Sequence, residues 1–147
     1  MKTKMKFYCQ TVILITVLTS NSFSQVTRLW ATYYGGTGDE SGKCIATDAS
    51  DNVYLTGGTT SAAGIATAGA FDAILGGPQD AYLVKFNAAG VRQWATYYGG
   101  TEDEAGTGAV TDASGNVYLA GVTTSVAGIG SGGFQNTYGG GNTDAFL

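Results

Sequence analysis

Two acidic runs, Asp39-Glu40 and Glu102-Asp103-Glu104, place carboxylates side by side shortly after Gly-Gly-Thr turns. Oxygen-rich clusters of this kind are the raw material of calcium sites, and Asp39, Glu40, Asp103 and Glu104 are the candidate ligands. Adjacent acids supply too few oxygens for an ion that takes about six to eight, and they lack the alternating spacing of an EF-hand loop. A solvated charged loop is the favoured reading. Asp48, Asp51 and Asn52, echoed by Asp112 and Asn116, form a second polar set. They stand where a strand-to-strand turn needs short side chains that bond their own backbone, and turn formation accounts for them.

Catalysis finds little to work with. The chain has no histidine, which removes the usual general base near neutral pH, the Ser-His-Asp and Cys-His nucleophile pairs and most transition-metal sites. Glycoside hydrolysis needs an acid and a base facing each other across one bond, and no spacing here places two carboxylates so. The acidic residues are also copied along the chain, whereas a reaction site is ordinarily single. No catalytic residue and no cofactor are expected. Gly128-Ile129-Gly130-Ser131-Gly132-Gly133 matches the dinucleotide string G-x-G-x-x-G, but no amphipathic helix follows it, so it reads as a connector. The pairs Tyr33-Tyr34 and Tyr97-Tyr98 carry rings that could stack on sugars. Strand alternation sends one of each pair to either face, as buried packing wants. Cys44, whose counterpart in the repeat described below is Gly108, reads as a small buried filler.

The whole chain of 147 residues has seven basic and eleven acidic side chains, a net charge of −4. Its first stretch reads as an export signal: Lys2, Lys4 and Lys6, an apolar core from Val12 to Leu18, then Ser22 and Ser24 ahead of a cleavage point that leaves Gln25 first. That core is far shorter than the ~20 apolar residues a bilayer crossing needs. Cys9 lies before it, not at a lipoprotein cleavage point. Removal of residues 1–24 leaves Arg28, Lys43, Lys85 and Arg92 against all eleven acids, a net of about −7. Such a surface argues against nucleic acid or anionic lipid as partner, since both need a basic footprint. Only Cys44 survives cleavage, so stability comes from packing and not from an internal disulfide. The expected location is outside the cell or on its surface, with no membrane insertion after cleavage.

The elements that hold these residues come from an internal repeat with an offset of 64. Trp30-Ala31-Thr32-Tyr33-Tyr34-Gly35-Gly36-Thr37 returns unchanged as Trp94 to Thr101, and 26 of 36 positions agree between Trp30–Ile65 and Trp94–Ile129. After a divergent stretch the register resumes, with Asp80-Ala81-Tyr82-Leu83 matched by Asp144-Ala145-Phe146-Leu147. Residue types predict strands over Ala81–Asn87, Arg92–Tyr98, Thr107–Thr111 and Val117–Thr123, grouped as one four-stranded antiparallel meander. The same plan is expected one unit earlier through Val26–Tyr34, Cys44–Thr47 and Val53–Thr59. Tyr82, Val84 and Phe86 share one face while Leu83 on the other is also apolar, so each sheet is expected to lie between two others. Trp30 and Trp94 are expected to bury deeply and carry much of the cohesion.

These residues resemble the bacterial SBBP-type β-propeller repeat of exported and surface proteins. The resemblance rests on Trp94–Gly100, Asp103, Asp112–Tyr118, Gly121–Ser125, Phe134-Gln135 and Asp80-Ala81-Tyr82-Leu83-Val84-Lys85, and it spans Val26–Leu147. It implies an all-β fold of four-stranded blades, here about two repeats (about 30–93 and 94–147) of an incomplete ring. It implies a non-enzymatic scaffold or binding module, with a protein or glycan and the remaining blades of the same propeller as partners. A glycan-binding lectin-like propeller and a fragment of a larger enzyme-bearing propeller are the alternatives. Fewer than two full units leave apolar faces uncovered, so the mature chain is expected to self-associate or order poorly.

Overall fold

A computed structural model describes residues 27–147; the expected leader over 1–24, and the cleavage before Gln25, lie outside them. Seven strands form: β1 (Glu40–Thr47), β2 (Val53–Thr59), β3 (Asp80–Phe86), β4 (Arg92–Tyr98), β5 (Glu104–Thr111), β6 (Val117–Thr123) and β7 (Asp144–Phe146). The described residues contain no helix, and so none long and apolar enough to cross a membrane. The fold is all-β, with antiparallel sheets in the orders β1-β2-β3-β4 (sheet 1) and β5-β6-β7 (sheet 2).

The grouping differs from the expected one. The sheet boundary falls between β4 and β5, so Ala81–Thr123 is not one meander but the last two strands of one sheet and the first two of the next. The long segment 60–79 lies inside a sheet, returning β3 antiparallel beside β2. Backbone chemistry explains why. Segment 60–79 bonds along the outer edge of β4, where Thr67 N donates to Ala95 O (3.0 Å) and Tyr97 N to Asp72 O (3.1 Å). With that edge occupied, β5 has no free ladder to join. Instead Gln79 and Asp103 meet in a parallel bridge, Glu104 N donates to Gln79 O (2.8 Å), and the chain crosses to a second sheet.

The repeat is legible in the ladders. β1 and β2 are interrupted between Gly42 and Cys44, and β5 and β6 at the equivalent place between Gly106 and Gly108. A bulge copied at one register bends both first strands alike. The hairpin loop after β1 turns on Asp51, at φ 59°, where the second unit has Gly115 at φ 84°. Both adopt the left-handed region that Asp and Gly tolerate best.

Sheet 1 carries apolar side chains on both faces, but another sheet lies against only one of them, and Ile45 on the other is 66% exposed. Tyr82, Val84, Phe86, Ala95, Tyr97 and Ile65 form one cluster, against which Trp30, Tyr34, Val53 and Leu55 pack. Tyr54, Leu83 and Ala109 form the other, between the sheets, with Ala46, Trp94, Val117 and Leu119 around them. Leu83 thus faces away from Tyr82 and Val84, as alternation requires. Two expectations fail here. Val26–Tyr34 is not a strand over its described part, because Trp30–Tyr34 lies on the face of sheet 1 without a ladder partner. Both tryptophans are only half-buried. Trp30 keeps its Nε1 on Ala88 O at 3.1 Å, and the large fully buried aromatic rings are Tyr54, Tyr82 and Tyr97.

Candidate functional site

The acidic turns sit where one sheet hands over to the next. Glu104 opens β5 and is 1% exposed. Its Oε2 accepts from Gly100 N at 2.7 Å and its Oε1 from Thr123 Oγ1 at 2.5 Å. Glu40 repeats the arrangement one unit earlier: Gly36 N reaches Oε2 at 3.0 Å, and Thr59 Oγ1 (2.7 Å) and Ser61 Oγ (2.5 Å) reach Oε1. Burial pushes the Glu40 carboxyl up, but the Ser61 and Thr59 hydroxyls and the Gly36 amide together hold it below its ordinary value. Asp39 and Asp103 are exposed, and their backbone amides, not their carboxylates, are used, donating to Thr60 Oγ1 (2.8 Å) and Thr124 Oγ1 (2.9 Å). Each acidic pair is therefore split: the glutamate ties down the Gly-Gly turn and the aspartate faces water.

Asp80, which the reading of acidic runs passed over, belongs to the same junction. It is fully buried, its two oxygens accept from Gly76 N (2.9 Å) and Gly77 N (3.1 Å), and it approaches Glu104 across Gly99. A methyl group at Gly99 would stand 2.6 Å from Asp80 Cγ and from Glu104 Oε2, so only glycine lets the chain pass between the two carboxyls. Burial raises the Asp80 carboxyl above its usual range, the two glycine amides oppose that, and the charges of Glu104 and Asp72 add to it. The signal was present in the sequence, since Asp80 recurs as Asp144, and Asp144 takes Gly139 N at 2.5 Å. Two carboxyls of this kind fix the crossing of the chain. Among the described residues no three His, Cys, Asp or Glu side chains gather as a metal would require.

The second polar set makes hairpin turns. Asp48 Oδ1 accepts from Ser50 N (2.9 Å) and Asn52 N (3.0 Å), and Oδ2 from Asn52 Nδ2 (2.8 Å) and Tyr54 Oη (3.0 Å). Asp112 repeats all four with Ser114, Asn116 and Tyr118 at 2.7–3.2 Å. The bonds from Asn52 and Asn116 lead the forces that hold both carboxyls below their ordinary values, Asp48 well below. Asp51 does not join the carboxylate cluster; it supplies the left-handed turn position. Lys85 Nζ stands 3.7 Å from Asp48 and over the Tyr54 ring.

The remaining sequence candidates take structural places. Gly128–Gly133 runs through bends outside any strand, with Gly128 and Gly132 at positive φ. Cys44 lies half-buried between β1 and β5, where its Sγ accepts from Ala109 N at 3.4 Å. Tyr34, Tyr97 and Tyr98 pack, whereas Tyr33 is 103% exposed. Tyr34 Oη donates to Ile65 O (3.0 Å) and Tyr98 Oη to Ile129 O (2.8 Å), one bond copied at an offset of 64. Beside Tyr98 a cavity of about 310 Å³ opens against β7, lined by Ser125, Ile129, Gly130, Tyr138 and Phe146. Compared with known proteins, the chain matches no protein-family model and no curated protein.

Proposed function

We propose that the two sheets are consecutive blades of a β-propeller of the SBBP type. In this reading the chain belongs to a non-enzymatic, exported scaffold or binding module that presents its repeated loops to a protein or glycan. One observation carries the reading: the way one sheet succeeds the other. β5 lies against β1, β2 and β3, and the crossing at 99–103 delivers the chain from the last strand of one sheet to the first of the next. Four-stranded antiparallel sheets repeated around an axis have this connectivity. The roles found for Glu40, Asp48, Asp80, Glu104 and Asp112 support a scaffold, since each spends its carboxylate on backbone amides and hydroxyls of its own loops. The Lys-rich, apolar N-terminal stretch supports export.

The test pairs N-terminal sequencing of the protein recovered outside the cell with binding to immobilised polysaccharides and surface proteins. A mature terminus at Gln25 and saturable binding without turnover are expected. An intact Met1 inside the cell, or hydrolysis of the bound polysaccharide, would overturn the reading.

A further inference from the structure

Each sheet buries one carboxyl at the crossing between them. Asp80 opens β3 of sheet 1 and Glu104 opens β5 of sheet 2, and they are 0% and 1% exposed. The chain passes between them at Gly99, where a methyl group would stand 2.7 Å from Asp80 Oδ1 and 2.6 Å from Glu104 Oε2, so these two oxygens flank one narrow gap. All four hydrogen bonds of the pair are accepted ones: Gly76 N and Gly77 N reach Asp80, and Gly100 N and Thr123 Oγ1 reach Glu104. None of these donors carries a positive charge.

The rest of the surroundings is acidic or neutral. Asp72, from segment 60–79, adds its charge to that of Glu104 at Asp80. β2 places Thr59 opposite Asp80. From β4 come two phenols held above their ordinary 10.0: Tyr97, by burial and then by the charges of Asp80, Glu40 and Asp72, and Tyr98, by burial and then by Glu104. No basic side chain is among the groups that act on the Asp80 carboxyl, and the ion pair of Lys85 with Asp48 lies at the other end of β3. Two like charges deprived of water and of a cation are costly, and a pair so placed relieves the cost by keeping one proton.

We propose that Asp80 and Glu104 hold one proton between them and that this proton latches sheet 2 to sheet 1, so that its loss to water at rising pH opens the crossing at 99–103. Asp80 carries the proton, because its amide bonds of 2.9 and 3.1 Å are longer than the 2.7 and 2.5 Å bonds that serve Glu104 as acceptor. The bonds beside the latch are those of the parallel bridge: Glu104 N donates to Gln79 O at 2.8 Å and Gln79 Nε2 to Glu104 O at 3.0 Å. Burial, and after it the charges of Glu104 and Asp72, raise the Asp80 carboxyl above its ordinary 3.8 against the pull of the two amides. A value higher in the folded chain than in the unfolded one means stability that is complete below 3.8 and lost as pH rises through the folded value. Glu40, Asp48 and Asp112, all held below their ordinary values, act in the opposite direction.

Carboxyl-carbon NMR of the whole chain, with Asp80 assigned through its own backbone, tests the latch together with amide exchange. Asp80 is expected to titrate above 3.8, and to move down toward that value in Glu104→Gln. Protection of the Glu104 amide, corrected for the intrinsic pH dependence of exchange, should fall as pH rises through the Asp80 titration, by at most about tenfold per pH unit for one proton, while amides of the β1–β2 ladder keep theirs. Asp80→Asn has the shape of the protonated acid without its titration, and should hold Glu104 protection level over the same range. An Asp80 that titrates at or below 3.8, or one unmoved in Glu104→Gln, overturns the shared proton. Glu104 protection that does not follow the Asp80 titration overturns the latch. Should the variants fail to fold, titration and exchange in the unaltered chain decide by themselves: a joint change supports the latch, and its absence overturns it.

Discussion

Tyr33 and Tyr97 occupy the same position of an identical octapeptide, yet one is 103% and the other 1% exposed. Replacing each by alanine separates what the motif contributes from what its surroundings contribute. A buried aromatic side chain removes at least ~150 Å² from water, and at ~25 cal/mol per Å² that is about 4 kcal/mol. Tyr97→Ala also leaves Ser61 O without the 2.7 Å bond from Oη, about 1 kcal/mol more. Because the unfolded chain already hides some of that area, ~3–5 kcal/mol is the expected cost. Tyr33→Ala, measured at concentrations low enough to keep the chain monomeric, should change stability by less than ~0.5 kcal/mol. Urea unfolding followed by fluorescence gives both numbers, with Tyr97→Phe as the milder control losing ~1 to 1.5 kcal/mol. Equal effects at Tyr33 and Tyr97 would refute the packing described for β4 and its cluster.

Other consequences can be checked on the same material. Gly99→Ala forces a methyl between Asp80 and Glu104 and should cost about 1–3 kcal/mol or more, whereas Gly115→Asn, at a left-handed turn open to solvent, should cost under ~1 kcal/mol; a mild Gly99→Ala would show that the crossing is loose. Trp94→Ala, at a half-buried ring packed on Tyr54, should cost less than Tyr97→Ala, and the reverse order in thermal unfolding would argue for deeper tryptophan burial. The Asp48, Asp112 and Glu40 carboxyls are all held below their ordinary values of 3.8 and 4.5. The stability they contribute is therefore complete above those values and lost as pH falls through their folded values. Urea midpoints from pH 6 to 2 should decline most steeply below about pH 4, less steeply in Asp48→Asn, and an unchanged acid limb in that variant would contradict the turn chemistry.

Much of the chain's organisation was legible in its residues alone. The 64-residue period, the all-β character, and the positions of the hairpins at Asp48–Asn52, Asn87–Gly90 and Asp112–Asn116 follow from local chemistry: alternating apolar residues, β-branched and aromatic runs, and short turn residues, Asx side chains that bond their own backbone among them. These depend on neighbours a few residues away, which a sequence displays directly. Alternation likewise placed Leu83 opposite Tyr82 and Val84.

What tertiary structure decided is which strands share a sheet and which copy of a residue is buried. The boundary between β4 and β5 depends on segment 60–79 occupying the outer edge of β4, a contact between residues about 25 apart that no local pattern announces. The same holds for the carboxylates. Glu104 and Asp80 meet because Gly99 lets two sheets close on each other, so a pair separated by 24 positions outranks the adjacent acids that first drew notice. Identical sequence at Tyr33 and Tyr97 yields opposite environments, since burial belongs to the neighbours that fold against a side chain and not to the side chain itself.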